Sequence, residues 1–529
     1  MKVFLLLSVW LCVVCWVWGG EVYPAPKPGE ILTPAEAKSP SINGARVIGV
    51  RPNAELFFRV PVSGERPIKI IASGLPDGIS LDKNTGILSG YISKAGQYDL
   101  VLKAKNKYGI DMKPLSIRVG EQICLTPPMG WNSWYSYGDS VTADAVLKNA
   151  KAMNDSGLAN YGWSYINIDD CWQGCRPGFK KALLPNEKFP NMSELCCKVH
   201  EMGLKMGIYS TPWVGTYEGF RGSSVMNDGD ALQFALPEEK RKTKHQLFGG
   251  YPGVLRQKAN RVGDIWLLDV DARQWALWGF DYVKMDWNPL DVENAKRIAE
   301  DIRKCGRDVV LSLSNNASIK EGKVLSGYAN CVRTTGDISD TWASILSIIK
   351  NQEKWLYLTR PGYWNDPDML QVGQQGAPNM GNRGMRKTRL TPDEQYTQVS
   401  VWSLLSSPLL ISADMATLDE FTRGLLTNEE VIAVNQDAAG LPASFYWQDN
   451  GASLVVTKKL GDGSCAVGVV NIGNEKRVIE LDFEKLGLAR NLHIRDLWRK
   501  RDIGVKHRQF KLECNAHGCS LIKCKVVAN

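Results

Sequence analysis

The stretch from Gly279 to Asn288 carries two charged side chains at a spacing that could do chemistry. It predicts a short apolar strand in which Lys284 and Asp286, two residues apart, project from the same face. A lysine beside an aspartate favours the ionised carboxylate, which a nucleophile at neutral pH requires. The aspartate could equally cap the helix predicted just after it, so this stretch alone leaves both interpretations open.

Charged side chains also end other predicted strands in the middle of the chain. They are Asp169, Asp170, Arg333, Asp337, Asp340, Asp366 and Asp368. In a barrel of parallel strands the carboxyl ends meet at one mouth, so these groups would converge on a single site. Such a cluster could bind a divalent cation, or it could supply the acid, the nucleophile and the hydroxyl acceptors for a sugar.

Cations within this cluster favour a sugar over a metal. Lys284 and Arg333 would repel a divalent ion, whereas Trp134 offers a flat apolar surface to a sugar ring. The adjacent Cys196 and Cys197 do not have the usual ligand spacing of a zinc site, and His200 is the single histidine near either this pair or the pair Cys171 and Cys175, so we do not predict a zinc site. Because side chains alone can supply every group that the reaction needs, we predict no metal and no cofactor.

Strand-like and helical runs alternate over residues 121–431, which predicts a (β/α)8 TIM barrel as the catalytic domain. Eight apolar runs of strand length occur in this part. A helix is predicted over 142–154, because Thr142 can cap it and its apolar residues recur on one side. Residues 218–268 are too long for an ordinary loop and predict an insertion over the barrel mouth.

Two β-rich segments flank the predicted barrel. Residues 46–120 alternate short apolar runs with turn residues and resemble immunoglobulin-like (Ig-like) β-sandwich modules. Residues 432–529 predict a C-terminal antiparallel β-sandwich. Residues 20–45 are rich in proline, alanine and lysine without periodicity, and they predict a linker.

The N-terminus predicts export. Lys2 is followed by an uncharged apolar run that ends at Trp18, so residues 1–19 are interpreted as a cleavable signal peptide, and we expect a secreted or periplasmic protein. Loss of this segment would leave 11 of the 13 cysteines in a compartment that permits disulfide bonds. The net charge of +8 is dispersed, and we expect neither a nucleic-acid nor a membrane partner.

Five motifs, taken in order, resemble a known enzyme family. They lie at 125–134, 168–172, 282–286, 333–338 and 364–369. Their order and approximate spacing are similar to those of the melibiase-type α-galactosidases and α-N-acetylgalactosaminidases of glycoside hydrolase family 27, and the similarity extends from residue 125 to the C-terminus. This family has a (β/α)8 barrel followed by an antiparallel β-domain.

The resemblance implies a retaining double displacement with Asp286 as the nucleophile and Asp337 as the general acid and base. Asp169 and Asp170 would accept hydrogen bonds from the 4- and 6-hydroxyls, and Arg333 would hold the 2-position. The full set of implied sugar-binding residues is Trp134, Asp169, Asp170, Tyr209, Lys284, Ser314, Ala317, Arg333, Asp368 and Met369.

The implied activity is that of a secreted exo-α-galactosidase that hydrolyses terminal α-D-galactosyl residues. The expected partner is an oligo- or polysaccharide with such end groups, and a homodimer is a candidate assembly. Ser314 and Ala317 resemble the small pair of the N-acetylgalactosaminidases, which would leave space for a 2-acetamido group. α-N-Acetylgalactosaminidase is therefore the alternative activity, and β-L-arabinopyranosidase and isomaltodextranase stay open. A catalytically silent carbohydrate-binding protein is a remote alternative, against which the presence of both Asp286 and Asp337 argues.

Overall fold

An N-terminal β-module opens the fold. The computed structural model of the chain describes residues 22–178, 180–226, 236–248, 259–376 and 384–527, so the predicted signal peptide lies outside the described residues. The strands of this first part are β1 (Val22–Tyr23), β2 (Ser41–Ile42), β3 (Val47–Val50), β4 (Glu55–Arg59), β5 (Val62–Ser63), β6 (Lys69–Ser73), β7 (Ile79–Leu81), β8 (Ile87–Tyr91), β9 (Gly96–Asn106) and β10 (Gly109–Val119).

Two sheets of this module face each other, with strand orders β3-β10-β9-β6 and β4-β8-β7. Strands β9 and β10 form a long antiparallel hairpin. Leu100 and Leu102 of β9 are buried while Val101 between them is exposed, as the period of two in a half-buried strand requires. The module is therefore a sandwich with its own apolar core.

The segment at 20–45, predicted as a linker, takes part in the packing of two domains. Its first strand, β1, pairs in parallel with a strand of the C-terminal domain, and β2 pairs with β5 of the Ig-like module. Between them Leu32 is buried in the main core, and its amide donates a hydrogen bond to the Tyr396 hydroxyl at 2.9 Å. The segment is thus held at both ends and in its middle.

Parallel strands and helices alternate in the central domain. The barrel strands are β11 (Met129–Asn132), β12 (Tyr165–Asn167), β13 (Lys205–Ser210), β16 (Tyr282–Asp286), β17 (Val310–Ser314), β18 (Cys331–Arg333), β19 (Trp364–Asp366) and β22 (Leu409–Ile411). Two short antiparallel ladders lie outside them, β14 (Ser224–Val225) with β15 (Ile265–Trp266) and β20 (Gln374–Gln375) with β21 (Arg386–Lys387).

The eight barrel strands form one parallel sheet in the order β19-β18-β17-β16-β13-β12-β11-β22. A bridge between Leu370 and Ile411 joins the residues just after β19 to β22 at the two ends of this order. The predicted TIM-barrel fold is confirmed, and the carboxyl ends of its strands carry the charged residues that the sequence placed there.

Helices of the central domain follow the strands. They are α1 (Trp134–Tyr137), α2 (Ala143–Asp155), α3 (Met192–Glu201), α4 (Leu268–Trp278), α5 (Val292–Arg303), α6 (Ile319–Leu325), α7 (Trp342–Gln352), α8 (Pro392–Leu404), α9 (Glu420–Leu426) and α10 (Glu429–Asn435). The Thr142 side chain caps α2, as predicted, and accepts a hydrogen bond from the Ala145 amide. Helix α8 is buried on nearly every side because it lies between the barrel and the C-terminal domain.

The cap of α5 decides between the two interpretations of Asp286. Asp291 caps this helix, and its carboxylate accepts a hydrogen bond from the Asn294 amide at 2.8 Å. Asp286 instead ends strand β16, one residue before the buried Trp287. Asp286 is therefore not the helix cap, and its carboxylate is available to the barrel mouth.

The C-terminal domain is a second antiparallel sandwich. Its strands are β23 (Ala443–Gln448), β24 (Ser453–Lys459), β25 (Cys465–Asn471), β26 (Arg477–Asp482), β27 (Asn491–Asp496), β28 (Arg501–His507), β29 (Gln509–Cys514) and β30 (Cys519–Val526). One sheet has the order β23-β24-β25-β30-β27-β28, and the other is β1-β29-β26. The predicted boundary at residue 432 falls within α10, and the first strand of the domain begins at Ala443.

Ion pairs fix the Ig-like module to the amino-terminal face of the barrel. Arg307 donates to Glu55 of the module at 2.6 Å and to Asp281, which directly precedes β16, at 2.7 Å. His200 approaches the same Asp281 carboxylate at 2.8 Å. The module therefore lies at the opposite end of β16 from Asp286.

All eleven cysteines outside the predicted signal peptide are free thiols in the structure. Most are buried, and only Cys175 and Cys197 are exposed. None of the helices in the described parts of the chain has the length and apolarity that crossing a membrane requires.

Candidate active site

Strand β16 places Lys284 and Asp286 in the barrel mouth. The Lys284 ammonium lies 2.9 Å from the Asp169 carboxylate and 3.7 Å from that of Asp286. It also lies over the ring of Tyr209, 5.1 Å from the centroid, because Tyr209 is the register partner of Lys284 on the neighbouring strand. One cation therefore links two carboxylates that are far apart in sequence.

Burial controls the charge of Asp286. Loss of water contact raises its pKa to about 6, even though Lys284 opposes this shift. Lys284 itself is buried, which would lower its pKa, but Asp169 and Asp286 together raise it above its ordinary value. Lys284 favours the ionised carboxylate, as the sequence predicts, but desolvation is the larger effect. At pH 7 the carboxylate is still mostly ionised.

Asp169 and Asp170 follow β12 and are held by different donors. Asp169 accepts hydrogen bonds from the Asn132 amide at 2.8 Å and from Lys284. Asp170 accepts from the backbone amides of Cys171 at 2.7 Å and Glu218 at 3.2 Å. Burial raises the pKa of Asp170 to about 7, so a sugar hydroxyl that donates to it would favour its ionised form.

Arg333 holds a second group of carboxylates. It contacts Asp368 at 2.8 Å and Asp337 at 3.1 Å. The Asp337 side chain is 68% exposed, whereas that of Asp368 is buried. Partial desolvation would raise the pKa of Asp337, but Arg333 and the more distant Lys284 hold it below the ordinary value. Asp368 is fixed further by the Ile338 amide, which donates to it at 2.9 Å.

The other predicted binding residues occupy different depths of the site. Ser314 and Met369 line one small cavity together with Lys284, Arg333 and Asp368. Ala317 is buried but does not line this cavity, and its amide donates to the Arg333 carbonyl at 3.0 Å. The Ser314 hydroxyl is buried without a hydrogen-bond partner among the residues that the structure describes.

Trp134 begins α1 directly after β11. Its amide donates to the Asn132 side chain at 2.9 Å, and its ring is half-buried, packed against the barrel core. Asn132 therefore couples Trp134 to Asp169, to which the same side chain donates. Ring packing and sugar contact are both compatible with this partial exposure.

The structure adds Asn315, which the sequence analysis did not single out, and it shows the environment of Asp366, which the sequence analysis placed at a strand end. The Asn315 side-chain amide donates to Asp286 at 3.3 Å, and it lies directly after β17 at the strand end beside the nucleophile candidate. Asp366 accepts a hydrogen bond from the Asp368 amide at 2.8 Å, and burial raises its pKa to about 6. Both residues lie at the end of a predicted strand. This position is the sequence signal for such residues, but it does not show which strand-end residues contact the site.

Carboxylates in the mouth are interleaved with cations rather than grouped around a void. Over the described ranges, no set of three or more histidine, cysteine or acidic side chains is arranged to hold a metal ion. Each carboxylate discussed above instead has a cation, a side-chain amide or a backbone amide as its partner. This arrangement suits hydrogen bonding to a neutral, polyhydroxylated ligand.

Three family models match the chain. That of alpha galactosidase A matches residues 126–239 and 242–437, that of the alpha galactosidase C-terminal beta sandwich domain matches 450–524, and an Ig domain model matches 44–119. Alpha-galactosidase 2 of Arabidopsis thaliana is 30% identical over 407 residues, which cover 75% of this chain and 89% of that protein.

Solved structures agree with these matches. A candidate alpha-galactosidase/melibiase from Bacteroides fragilis has a TM-score of 0.79 at 29% identity, covering 94% of this chain and 100% of that one. A β-L-arabinopyranosidase from Geobacillus stearothermophilus has a TM-score of 0.63 at 29% identity, covering 77% and 97%. The matched domains, their order and the carboxylates at the barrel mouth lead to one assignment: this chain is a glycoside hydrolase that belongs to the melibiase family of α-galactosidases, glycoside hydrolase family 27.

Proposed function

We propose that the protein is an exo-acting, retaining α-galactosidase that removes terminal α-D-galactosyl residues. The observation that carries this proposal is the pairing of a buried carboxylate with an exposed one at the same barrel mouth. Asp286 is almost fully buried, Asp337 is exposed, and the two are near enough for the charge of Asp337 to raise the pKa of Asp286. A nucleophile and a proton donor need these two environments.

In the proposed first step Asp337 donates its proton to the glycosidic oxygen as Asp286 attacks the anomeric carbon. The bond to the leaving group breaks, and a glycosyl ester forms on Asp286. In the second step the ionised Asp337 takes a proton from water, the water oxygen attacks the same carbon, and Asp286 leaves as a carboxylate. The exposure of Asp337 supports this role because leaving group and water must both reach it.

Arg333 supplies a means of changing the protonation of Asp337. In the free enzyme Arg333 holds the pKa of Asp337 low, which disfavours the acid form needed in the first step. We propose that a sugar bound at the 2-position accepts a hydrogen bond from Arg333 and draws it away from Asp337. Loss of that pairing would raise the pKa of Asp337 as the substrate arrives.

The remaining residues of the site would bind and orient the sugar. Asp169 and Asp170 would accept hydrogen bonds from the 4- and 6-hydroxyls, and Lys284 would donate to a hydroxyl between Asp169 and Asp286. Trp134 would cover the apolar face of the ring. Tyr209, Asp368 and Met369 would complete the pocket wall.

A preference for 2-acetamido sugars is the second candidate. Ser314 and Ala317 are small and both are buried. The Ser314 hydroxyl, for which the described residues offer no hydrogen-bond partner, could donate to an acetamido oxygen. These features support α-N-acetylgalactosaminidase activity on the same scaffold. The solved β-L-arabinopyranosidase among the structural relatives also keeps a substrate without the 6-hydroxymethyl group open.

A panel of nitrophenyl glycosides tests the proposal. The α-galactoside, its 2-acetamido analogue and the β-L-arabinopyranoside are assayed side by side, and the anomer first released is followed by NMR. We expect fastest cleavage of the α-galactoside with the α-anomer as the first product. Cleavage of the acetamido analogue alone would establish the second candidate, and release of the β-anomer would rule out double displacement.

Asp286→Asn separates catalysis from binding. We expect kcat to fall by at least roughly 10³-fold because the amide cannot form the glycosyl ester. The melting temperature should stay near that of the wild type, since the two side chains have nearly the same shape. Near-normal turnover in this variant would remove Asp286 from its role. Galactose binding without hydrolysis by the wild type would instead support the carbohydrate-binding alternative.

We also propose that the chain is exported and acts on an extracellular or periplasmic glycan with terminal α-galactosyl groups. The uncharged apolar run up to Trp18 supports this proposal. N-terminal sequencing of the protein recovered from the medium or periplasm should begin near Gly20, and retention of Met1 would contradict export with cleavage.

A homodimer is the proposed assembly, and light scattering of the purified protein measures its mass in solution.

A further inference from the structure

Two cysteines from distant parts of the chain meet at the amino-terminal face of the barrel. Cys124 lies in the segment between β10 of the Ig-like module and β11 of the barrel, and Cys331 is the first residue of β18. Cys124 packs against the small apolar cluster to which Cys331 belongs. The Cys124 thiol donates to the Thr126 carbonyl at 3.5 Å. Burial raises the pKa of the Cys331 thiol, and Cys124 lies near enough to raise that pKa further.

Trp364 fixes the main chain around both cysteines. It is the register partner of Cys331 on the neighbouring strand β19, and its indole N–H donates to the Cys124 carbonyl at 2.9 Å. The indole is buried, so this contact is shielded from water. The proximity of the two thiols is therefore set by a strand pair and a buried hydrogen bond, not by the side chains alone.

We propose that Cys124 and Cys331 form a disulfide bond under oxidising conditions, which ties the segment between the two domains to the barrel. The bond would close a loop of roughly 200 residues, and cross-links over long loops restrict the unfolded chain most strongly. The proposal is independent of the substrate of the enzyme. It concerns the opposite end of the barrel from Asp286.

The unequal exposure of the two thiols gives an order to the reaction. Cys124 is half-buried and lines a cavity between the Ig-like module and the barrel, whereas Cys331 is fully buried. Cys124, as its thiolate, attacks a low-molecular-weight disulfide such as oxidised glutathione, forming a mixed disulfide and releasing one glutathione thiolate. The Cys331 thiolate then attacks the Cys124 sulfur and displaces the second glutathione. Two protein thiols are oxidised and one glutathione disulfide is reduced to two thiols.

Other cysteines of the chain supply contrasts for the test. Cys465 and Cys524 lie directly opposite each other on β25 and β30, but both are buried inside the C-terminal sandwich and a soluble disulfide cannot reach them without unfolding. Cys175 and Cys197 are exposed, and glutathione would modify them directly. The test is therefore made in a C175S/C197S background, with C124S and C331S added singly.

Peptide mapping identifies the bond. The folded protein is incubated with oxidised glutathione, unfolded in an alkylating agent and digested with trypsin without reduction. Trypsin releases Cys124 in the peptide 119–148 and Cys331 in 324–333. We expect a new species with the combined mass of these two peptides less two hydrogens, absent from both single variants. Glutathione found on Cys124 with Cys331 recovered alkylated would overturn the proposal.

Thermal unfolding supplies a second readout. The oxidised background protein should melt at a higher temperature than its reduced form, and the difference should vanish in C124S and in C331S. If C331S fails to fold because its site is fully buried, C124S alone carries the comparison. An equal rise in C124S after oxidation would assign the stabilisation to other cysteines and would also overturn the proposal.

Discussion

Replacing Lys284 by methionine should move the pH dependence of the enzyme toward alkaline pH. The Lys284 ammonium is 3.7 Å from the Asp286 carboxylate, and both side chains are mostly buried. At an effective dielectric constant of about 20, a charge pair at this distance attracts by roughly 4 kcal/mol, which is equivalent to about 3 pKa units as an upper bound. Removing the cation leaves the desolvation of Asp286 unopposed by this partner, so the pKa of Asp286 must rise.

The kcat/KM profile reports the free enzyme, in which the pKa of Asp286 is about 6 and that of Asp337 is lower, so the alkaline limb of this profile follows the ionisation of Asp286. We expect this limb to move up by as much as about 3 pH units in Lys284→Met, which would lower kcat/KM at pH 7 by about 10- to 100-fold through ionisation alone. Hydrolysis of nitrophenyl α-galactoside from acid to alkaline pH measures the shift.

A control separates this effect from a general loss of charge. Lys148→Met removes a half-exposed lysine that lies 3.2 Å from Asp414 and pairs with neither Asp169 nor Asp286, so its profile should match the wild type. Lys284 also contacts Asp169, so the variant will lose some sugar binding at every pH. A lower rate with an unmoved alkaline limb would show that Lys284 serves binding only and would refute the electrostatic argument.

Three further predictions follow from individual contacts. Asn315→Ala removes the amide that donates to Asp286 at 3.3 Å, so the alkaline limb of the kcat/KM profile should move up by about 1 pH unit, whereas an unchanged limb would exclude Asn315 from stabilising the ionised Asp286. Asp291→Ala removes the cap of α5 and should lower the free energy of unfolding by about 1 kcal/mol in urea titrations without changing kcat; a large loss of activity would show that the cap also holds the site. Asp281 is desolvated, which would raise its pKa, but His200 and Arg307 lower the pKa to about 2. The contribution of Asp281 to stability is therefore present above its unfolded pKa of about 4 and is lost as the pH falls through the folded pKa. Asp281→Asn should therefore flatten the dependence of melting temperature on pH between about 4 and 2, and an unchanged slope would contradict this linkage.

The barrel and its charged mouth could be predicted because each strand is a short apolar run that ends in polar residues. Lys284 and Asp286 show why this works: a strand of period two fixes which side chains share a face, and the parallel order brings strand ends together. The same logic located Asp169, Arg333 and Asp368. The positions of these residues follow from the backbone geometry of the strands, and the local sequence determines where the strands form.

Other features depended on partners far away in the chain. The segment at 20–45 has no periodicity of its own because β1 is only two residues long and takes its hydrogen bonds from β29. Asn315 lies in a loop whose residue types do not mark it as functional. The register of β17 against β16 brings its side chain to Asp286. The pKa of Asp286 was also out of reach, because desolvation depends on the packing of the whole mouth rather than on neighbours in sequence.

The attachment of the Ig-like module through Arg307 has a steric consequence for large substrates. The module sits behind the barrel, so a polysaccharide end that enters the mouth does not have to pass it. A glycan bound by the outer strands of the module would lie at the amino-terminal face of the barrel. The pocket at the opposite face would then be open to glycan chains other than the bound one.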